Sequence, residues 1–217
     1  MTDRARAREL AAGAVSDADP SAWFEVLYRE AERGTAVVPW ADLEPNPLLV
    51  RWMSTEGPRG GRALDVGCGY GDNAAYLRHR GFDVDAFDVS PTAIERARQR
   101  FGDVRFTIGD ALAPPPEWRG AFDLVVEVYT LQVHREGARR ALGAALTELL
   151  APGGTLLVIA RLRDEDDPVG SMPWPLTRGE IEAIASADVP LTSFEELLDD
   201  EDPPVRRAIA TYTRSGG

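Results

Sequence analysis

Lysine is missing from the sequence altogether. All 24 basic side chains are arginine, and they face 36 acidic ones, so the net charge is −12. A nucleic-acid binder normally presents a basic face to the phosphate backbone, and no such partner is expected here. Cysteine is nearly missing too: Cys68 stands alone, which excludes an internal disulfide. No apolar run approaches the roughly 20 residues that a membrane-spanning helix needs. The opening residues, MTDRARAREL, lack the apolar stretch of a secretory signal. A cytoplasmic protein with no membrane partner and no metal is expected. Internal repeats and long low-complexity stretches are absent, and 217 residues suffice for one domain with a sizeable core.

What is present gathers first at residues 63–71, ALDVGCGYG. A short apolar run meets glycines at 67, 69 and 71, and Asp72 then opens a helical pattern through Ala74, Ala75 and Leu77. This is a buried strand, a tight turn and a helix start. Glycine at such a turn permits positive φ and lets a ligand approach bare backbone. Taken alone, the turn also suits a plain strand-to-helix connection with no ligand. The dinucleotide fingerprint G-x-G-x-x-G fails at its sixth position, where Asp72 stands. Carboxylates at Asp65 and Asp72 would repel a pyrophosphate. They suit a ligand with positive charge and no phosphate, such as S-adenosylmethionine. The pattern D-x-G-x-G-x-G resembles motif I of the class I S-adenosylmethionine-dependent methyltransferases. The resemblance implies a cofactor cradle made of Asp65, Gly67, Cys68, Gly69, Gly71 and Asn73.

Ahead of that strand lie about sixty residues. Residues 1–18, rich in alanine, arginine and aspartate, are expected as a frayed helix or flexible tail whose removal changes little. Asp19-Pro20 reads as a helix start. Trp23, Phe24, Leu27, Tyr28 and Ala31 then share one helical face, and Gly34 ends it. Residues 35–45 form an irregular crossing, and Asn46-Pro47 caps a second helix. Residues 19–60 are expected as a helical lid, with 61–217 as the core. Tyr28 and Trp52 are expected to do no more than pack.

Beyond the glycine turn, strand and helix alternate to residue 160, which argues for a doubly wound, mostly parallel sheet. His79, between Arg78 and Arg80, is expected on the surface. Residues 82–89 alternate as a second strand, with Asp88 at its end, 21 residues past Gly67. An acidic side chain there holds ribose hydroxyls in nucleotide folds, and Val89 follows it in the expected site. Asp83 and Asp85 lie earlier on the strand, away from the site. A third strand over 104–108 leads to Asp110-Ala111, which resembles the adenine-binding position of these methyltransferases. The prolines of 113–120 follow strand three and lack a tyrosine, so they are not the P-P-Y signature of amino-methylating nucleic-acid enzymes. Residues 122–128 form strand four, and Glu127 to Leu131 face the switch-point crevice, with His134 on the loop beyond. A helix over 138–150, the turn Ala151-Pro152-Gly153-Gly154, strand five over 155–160 and a helix over 178–187 are expected next. Residues 191–198 are ambiguous, and 205–212 close a seven-stranded sheet.

A narrower resemblance appears at both ends. Trp23, Tyr28, Gly34-Thr35, Pro39-Trp40 and Pro45 look like the thiopurine S-methyltransferases and their halide- and thiol-methylating relatives. The segment GSMPWPLTRGEI, residues 170–181, looks like their acceptor-side segment, with Met172 replacing a proline. The stretch after strand four also resembles tellurite-resistance methyltransferases. These resemblances imply a lid from Trp23 and Trp40 over the cofactor. They also imply an acceptor side within residues 164–177, where Met172 and Trp174, with Tyr129 and His134, line the pocket. Val128 stands where the thiopurine enzymes carry arginine, so their substrate does not carry over. The expectation is methyl transfer from S-adenosylmethionine to a soft nucleophile, a thiol or other heteroatom, of a small molecule, by a monomer or homodimer. Alternatives are an O- or N-methyltransferase of a small aromatic metabolite, or a non-catalytic cofactor binder. A thiolate needs little help, whereas an alcohol or phenol would want a base. Only His134 and Glu127 are placed for that.

Overall fold

The computed structural model describes residues 4–14, 21–170, 172–199 and 201–216. The expected start at Asp19-Pro20 lies outside them. Three helices come first: α1 (Arg4–Ala14), α2 (Ala22–Glu32) and α3 (Pro47–Thr55). The alternating core follows, with β1 (Arg62–Val66), α4 (Asp72–His79), β2 (Asp83–Asp88), α5 (Pro91–Arg100), β3 (Arg105–Ile108), β4 (Phe122–Val128), α6 (Glu136–Glu148) and β5 (Leu150–Arg161). Then come α7 (Arg178–Glu182), β6 (Leu191–Leu198) and β7 (Arg206–Thr213). The seven strands lie in the order β3-β2-β1-β4-β5-β7-β6. β3 to β5 are parallel, and β7 runs antiparallel between β5 and β6. The strand order reverses between β1 and β4, so a crevice opens beyond their carboxyl ends.

The period-2 pattern of the strands builds two cores. Leu64, Val66, Val125, Leu156 and Val158 turn to one face of the sheet, where α6 supplies Leu142 and Leu146. Ala63, Leu124, Val126, Leu157 and Ile159 turn to the other, where α4 supplies Ala74 and Leu77. By the same alternation Asp65 and Glu127 end up on opposite faces of neighbouring strands, with Val66 beside Glu127 in the register.

The expected lid over 19–60 divides. Asn46 caps α3 through its side chain, and Leu49, Trp52 and Met53 sink into the sheet's core. Trp52 Nε1 also donates to Thr211 Oγ1 on β7 at 3.1 Å. So α3 belongs to the core layer, and only α2 with the 35–45 crossing covers the crevice. Of the frayed helix or tail expected over 1–18, the described part is helical. Residues 4–14 are a helix seated on α2, with Ala7 and Ala11 buried and Arg6 gripping Glu30 at 2.8 and 2.6 Å.

Elsewhere the differences are local. The helix expected over 178–187 stops at Glu182. Ser186 then trades main-chain hydrogen bonds with Val189 and also accepts from it through its side chain, competing with the helix. Residues 191–198 resolve as the edge strand β6, paired only with β7. The expected turn at 151–154 lies inside β5 as a bulge, since Leu150 pairs with Phe122 and Thr155 already with Leu124. No helix among the described residues is long and apolar enough to cross a membrane.

Candidate active site

The floor of the crevice is the glycine turn between β1 and α4. Gly67 and Gly69 hold φ of +64° and +52°, a region that L side chains seldom adopt. Close packing reinforces the choice. A Cβ on Gly67 would stand 2.3 Å from Thr130 Oγ1, and one on Gly69 would stand 2.9 Å from the Tyr28 hydroxyl. Asp88 fixes the turn from the side. One of its carboxylate oxygens accepts from the Gly69 N–H and the other from the Ser90 N–H, both at 2.9 Å. Burial raises the Asp88 pKa, and these bonds oppose the rise. Cys68, within the turn, is buried and free, and burial pushes its thiol up.

Two further acids border the turn, each with an oxygen left over. Asp65 is buried, and one oxygen has no partner; desolvation pushes its pKa up to about 8 against a main-chain bond from Ala74. Glu127 is buried as well. One of its oxygens accepts from the N–H groups of Thr130 and Leu131, and the other has no partner. Desolvation pushes Glu127 up to about 7. Asp72, by contrast, is already spent: Arg100 binds it with two N–H groups, one at 2.8 Å. The carboxylate pair read from the sequence as flanking the turn, Asp65 and Asp72, is therefore replaced by Asp65 and Glu127. Unsatisfied buried carboxylate oxygens are expensive. A ligand bringing a cation and N–H donors would satisfy them, and a pyrophosphate would not.

The remaining expected residues fall around this floor. Asn73 Oδ1 accepts from the Asn46 N–H at 2.8 Å, so it ties the start of α3 to the turn. Val89 is half-buried, Ala111 is buried, and Asp110 is exposed with one oxygen on the Leu112 N–H. The roof is aromatic. Trp23 stacks on Phe24 at 4.1 Å, and Trp40 meets Trp23 edge-on at 5.9 Å. Trp40 is the exposed member, while Trp23 is buried with its indole N–H unpartnered. Tyr28 is more than a packing residue. Its hydroxyl accepts from Trp40 Nε1 at 2.9 Å, and its ring meets Tyr70 of the glycine turn.

On the side where the acceptor is expected, Met172 and Trp174 are buried in the same apolar group as Trp23 and Tyr28. Tyr129 adopts φ +66°, unusual for a bulky residue, and its ring lies 5.1 Å from the Arg207 guanidinium. His134 is half-buried, and burial lowers its pKa against the nearby Asp110 charge, so its imidazole is neutral near pH 7. His79 is exposed, as expected.

Sequence reasoning missed Glu25. From α2 it accepts from Ser90 Oγ at 2.6 Å, Thr92 Oγ1 at 2.7 Å and the Thr92 N–H at 3.1 Å. It thus anchors the roof to the start of α5, beside Asp88. Its partners lie 65 and 67 residues away, and no local pattern announces such a bond.

Residues 63–154 match the family model described as a methyltransferase domain. The chain is 27% identical over 170 residues to a 2-heptyl-1-hydroxyquinolin-4(1H)-one methyltransferase of Mycobacteroides abscessus, covering 75% of this chain and 74% of that one. It is 28% identical over 171 residues to a probable thiol methyltransferase of Arabidopsis thaliana, covering 75% and 72%. Among solved structures, a Burkholderia thailandensis 1,6-didemethyltoxoflavin-N1-methyltransferase with bound S-adenosylhomocysteine superposes at a TM-score of 0.71. The superposition covers 96% of this chain and 90% of that one at 18% identity, a likeness of fold. The sheet order agrees with that likeness of fold, and the matched stretch 63–154, which holds the glycine turn with Asp65, Asp88 and Glu127, is similar to a methyltransferase domain.

Proposed function

We propose that this enzyme methylates a soft heteroatom, a thiol foremost, on a small apolar molecule, acting in the cytoplasm as a monomer or homodimer without nucleic acid. The observation that carries the reading is the joining of two covers: Met172 and Trp174 of the acceptor side pack into one apolar group with Trp23 and Tyr28 of the roof. S-adenosylmethionine, when bound, supplies an electrophilic methyl carbon on a sulfonium. Around it the chain's own groups have separate tasks. Asp88 holds the Gly69 and Ser90 N–H groups and stands where ribose hydroxyls would be met. Asp65 and Glu127 each offer an unpartnered oxygen to positive charge. The aromatic roof and the Trp174 side exclude water and align the acceptor's lone pair, which is the larger part of catalysis for a nucleophile that is already reactive. A thiol with pKa about 8.5 needs no base near neutrality. The similarity to a thiol methyltransferase and to a thiocyanate methyltransferase of Arabidopsis thaliana supports the same choice.

A second reading rests on His134. Its neutral imidazole can accept a proton, which would serve a hydroxyl or ring-nitrogen acceptor, and similarity to the quinolinone enzyme supports it. Formation of S-adenosylhomocysteine from S-adenosylmethionine with thiophenol, phenol or an N–H heterocycle as the acceptor separates the two. Thiophenol is expected to turn over fastest, with His134→Gln leaving that rate within about twofold. Turnover of phenol or heterocycle alone, abolished by His134→Gln, would establish the second reading. Methylation of only RNA or protein would remove both.

A further inference from the structure

We propose that Arg139 is the positioning residue of the acceptor pocket: one buried guanidinium sets the spacing of its two sides. The inference rests on the acceptor side lying between the segment after β4 and the segment after β5. Arg139 lies on α6, and its side chain is only 8% exposed. Its Nε donates to the Leu131 carbonyl at 3.3 Å. Its Nη2 donates to the His134 carbonyl at 3.1 Å and the Trp174 carbonyl at 3.4 Å, and its Nη1 meets the Glu180 carboxylate. One flat cation thus grips main chain from both sides of the pocket.

The surroundings extend the grip. Glu180 also accepts from the Thr177 N–H at 2.8 Å, closing the capping box that starts α7. Arg163 stands 3.7 Å from Glu180, and its Nε donates to the Pro175 carbonyl at 3.2 Å. The Trp174 N–H donates to the Gln132 carbonyl at 2.7 Å. Carbonyls at 131, 134, 174 and 175 are therefore fixed relative to one another through two guanidinium groups and one carboxylate. Burying such a charge costs several kcal/mol. An apolar side chain could fill the space, but it could not hold carbonyls of separate segments. Lysine keeps the charge yet lacks the planar fork, so it cannot reach both sides at once. The partners of Arg139 are main-chain carbonyls and Glu180, so its influence passes through the positions of His134 and Trp174.

The test compares Arg139→Lys with the wild type in a His79→Gln background, where His134 is the only histidine. Three quantities are read: KM for thiophenol, affinity for S-adenosylhomocysteine, and the NMR titration of the His134 ring. The charges facing that ring are Asp110 and Arg139, and lysine preserves the second. The expectation is a KM raised about tenfold through lost alignment, cofactor affinity within about twofold, and a His134 pKa moved up as its segment loosens toward water. Should wild-type enzyme not accept thiophenol, the functional reading above fails, and the His134 titration alone decides this one. Should Arg139→Lys not fold, Glu180→Gln is carried through the same measurements, with a smaller shift in the same direction. An unmoved His134 titration, or acceptor KM and cofactor affinity worsening equally, would overturn the proposal.

Discussion

The roof over the crevice and the segment beside it differ in what ties them to the sheet. From α2, the contacts with the core run through side chains: Glu25 on Ser90 and Thr92, and Tyr28 against the glycine turn, with Trp40 of the 35–45 crossing held in turn on Tyr28. Residues 174–176 are joined by main-chain hydrogen bonds. The Trp174 N–H reaches Gln132, the Leu176 N–H reaches Arg161, and the Arg163 N–H reaches Leu176. Such side-chain bonds, about 1 kcal/mol each or about 1.5–3 where a charge takes part, can be released without disturbing a strand. Releasing the second segment means breaking the parallel bridge between Leu162 and Leu176 at the end of β5. The roof is thus the cover more readily released from the sheet, and residues 174–176 are the firmer surface beside it.

The largest expected effect comes from the floor that both covers share. Asp88→Ala removes the acceptor for Gly69 and Ser90 and should weaken S-adenosylhomocysteine binding by about 1–3 kcal/mol, read by calorimetric titration. Wild-type affinity in a folded Asp88→Ala protein would mean that the floor does not depend on this carboxylate. Next comes pH. Asp65 at about 8 and Glu127 at about 7 are both raised, so ionising either one costs the ligand-free fold stability. Their contribution should be fully present only below the unfolded carboxylate range, about 4, and be lost as the pH climbs from there through about 7 for Glu127 and about 8 for Asp65. A cationic ligand favours the ionised acids. Its affinity should therefore rise over the same window with a proton released to the buffer, and Asp65→Asn should shrink that release.

A smaller effect sharpens the contrast between the covers directly. Glu25→Gln should weaken cofactor binding by about five- to tenfold, in line with the loss of charge-assisted bonds. In hydrogen exchange the amides of α2 should exchange faster while those of Trp174 and Leu176 keep their wild-type protection. Equal loosening of both would erase the distinction drawn above. The smallest effect is expected from removing residues 1–14, which strips Ala7, Ala11 and the Arg6–Glu30 pair from α2. The melting temperature should drop by a few degrees, with cofactor affinity lowered about two- to threefold. No change at all would return α1 to the status of a tail.

Local signals made much of this molecule legible. β4 spans the residues its apolar run announces, 122–128, because a strand buried on both faces leaves little choice. Asp88 is recognisable because one strand and one turn fix its distance from Gly67. What stayed hidden depends on pairs distant in sequence. Asp72 reads as a free carboxylate until Arg100 folds against it. Glu25 reads as one more solvated acid on α2. Arg139 sits among the surface-like residues of an amphipathic helix, and only the return of residues 174–180 gives it partners. The edge strand β6 was ambiguous for another reason: with one neighbour and partial burial, its alternation is weak.

The contact between the Tyr28 hydroxyl and the turn at Gly69 has a consequence for how this enzyme can vary. The two positions, 41 residues apart in the chain, behave as a single locus. A methyl group at 69, already strained by φ +52°, has room only if the hydroxyl at 28 shifts, and that same hydroxyl is what receives the Trp40 indole. A lineage that gained a side chain in the turn would therefore have to rebuild its roof in the same step, while one that kept the glycine could exchange the rest of the aromatic cover one residue at a time.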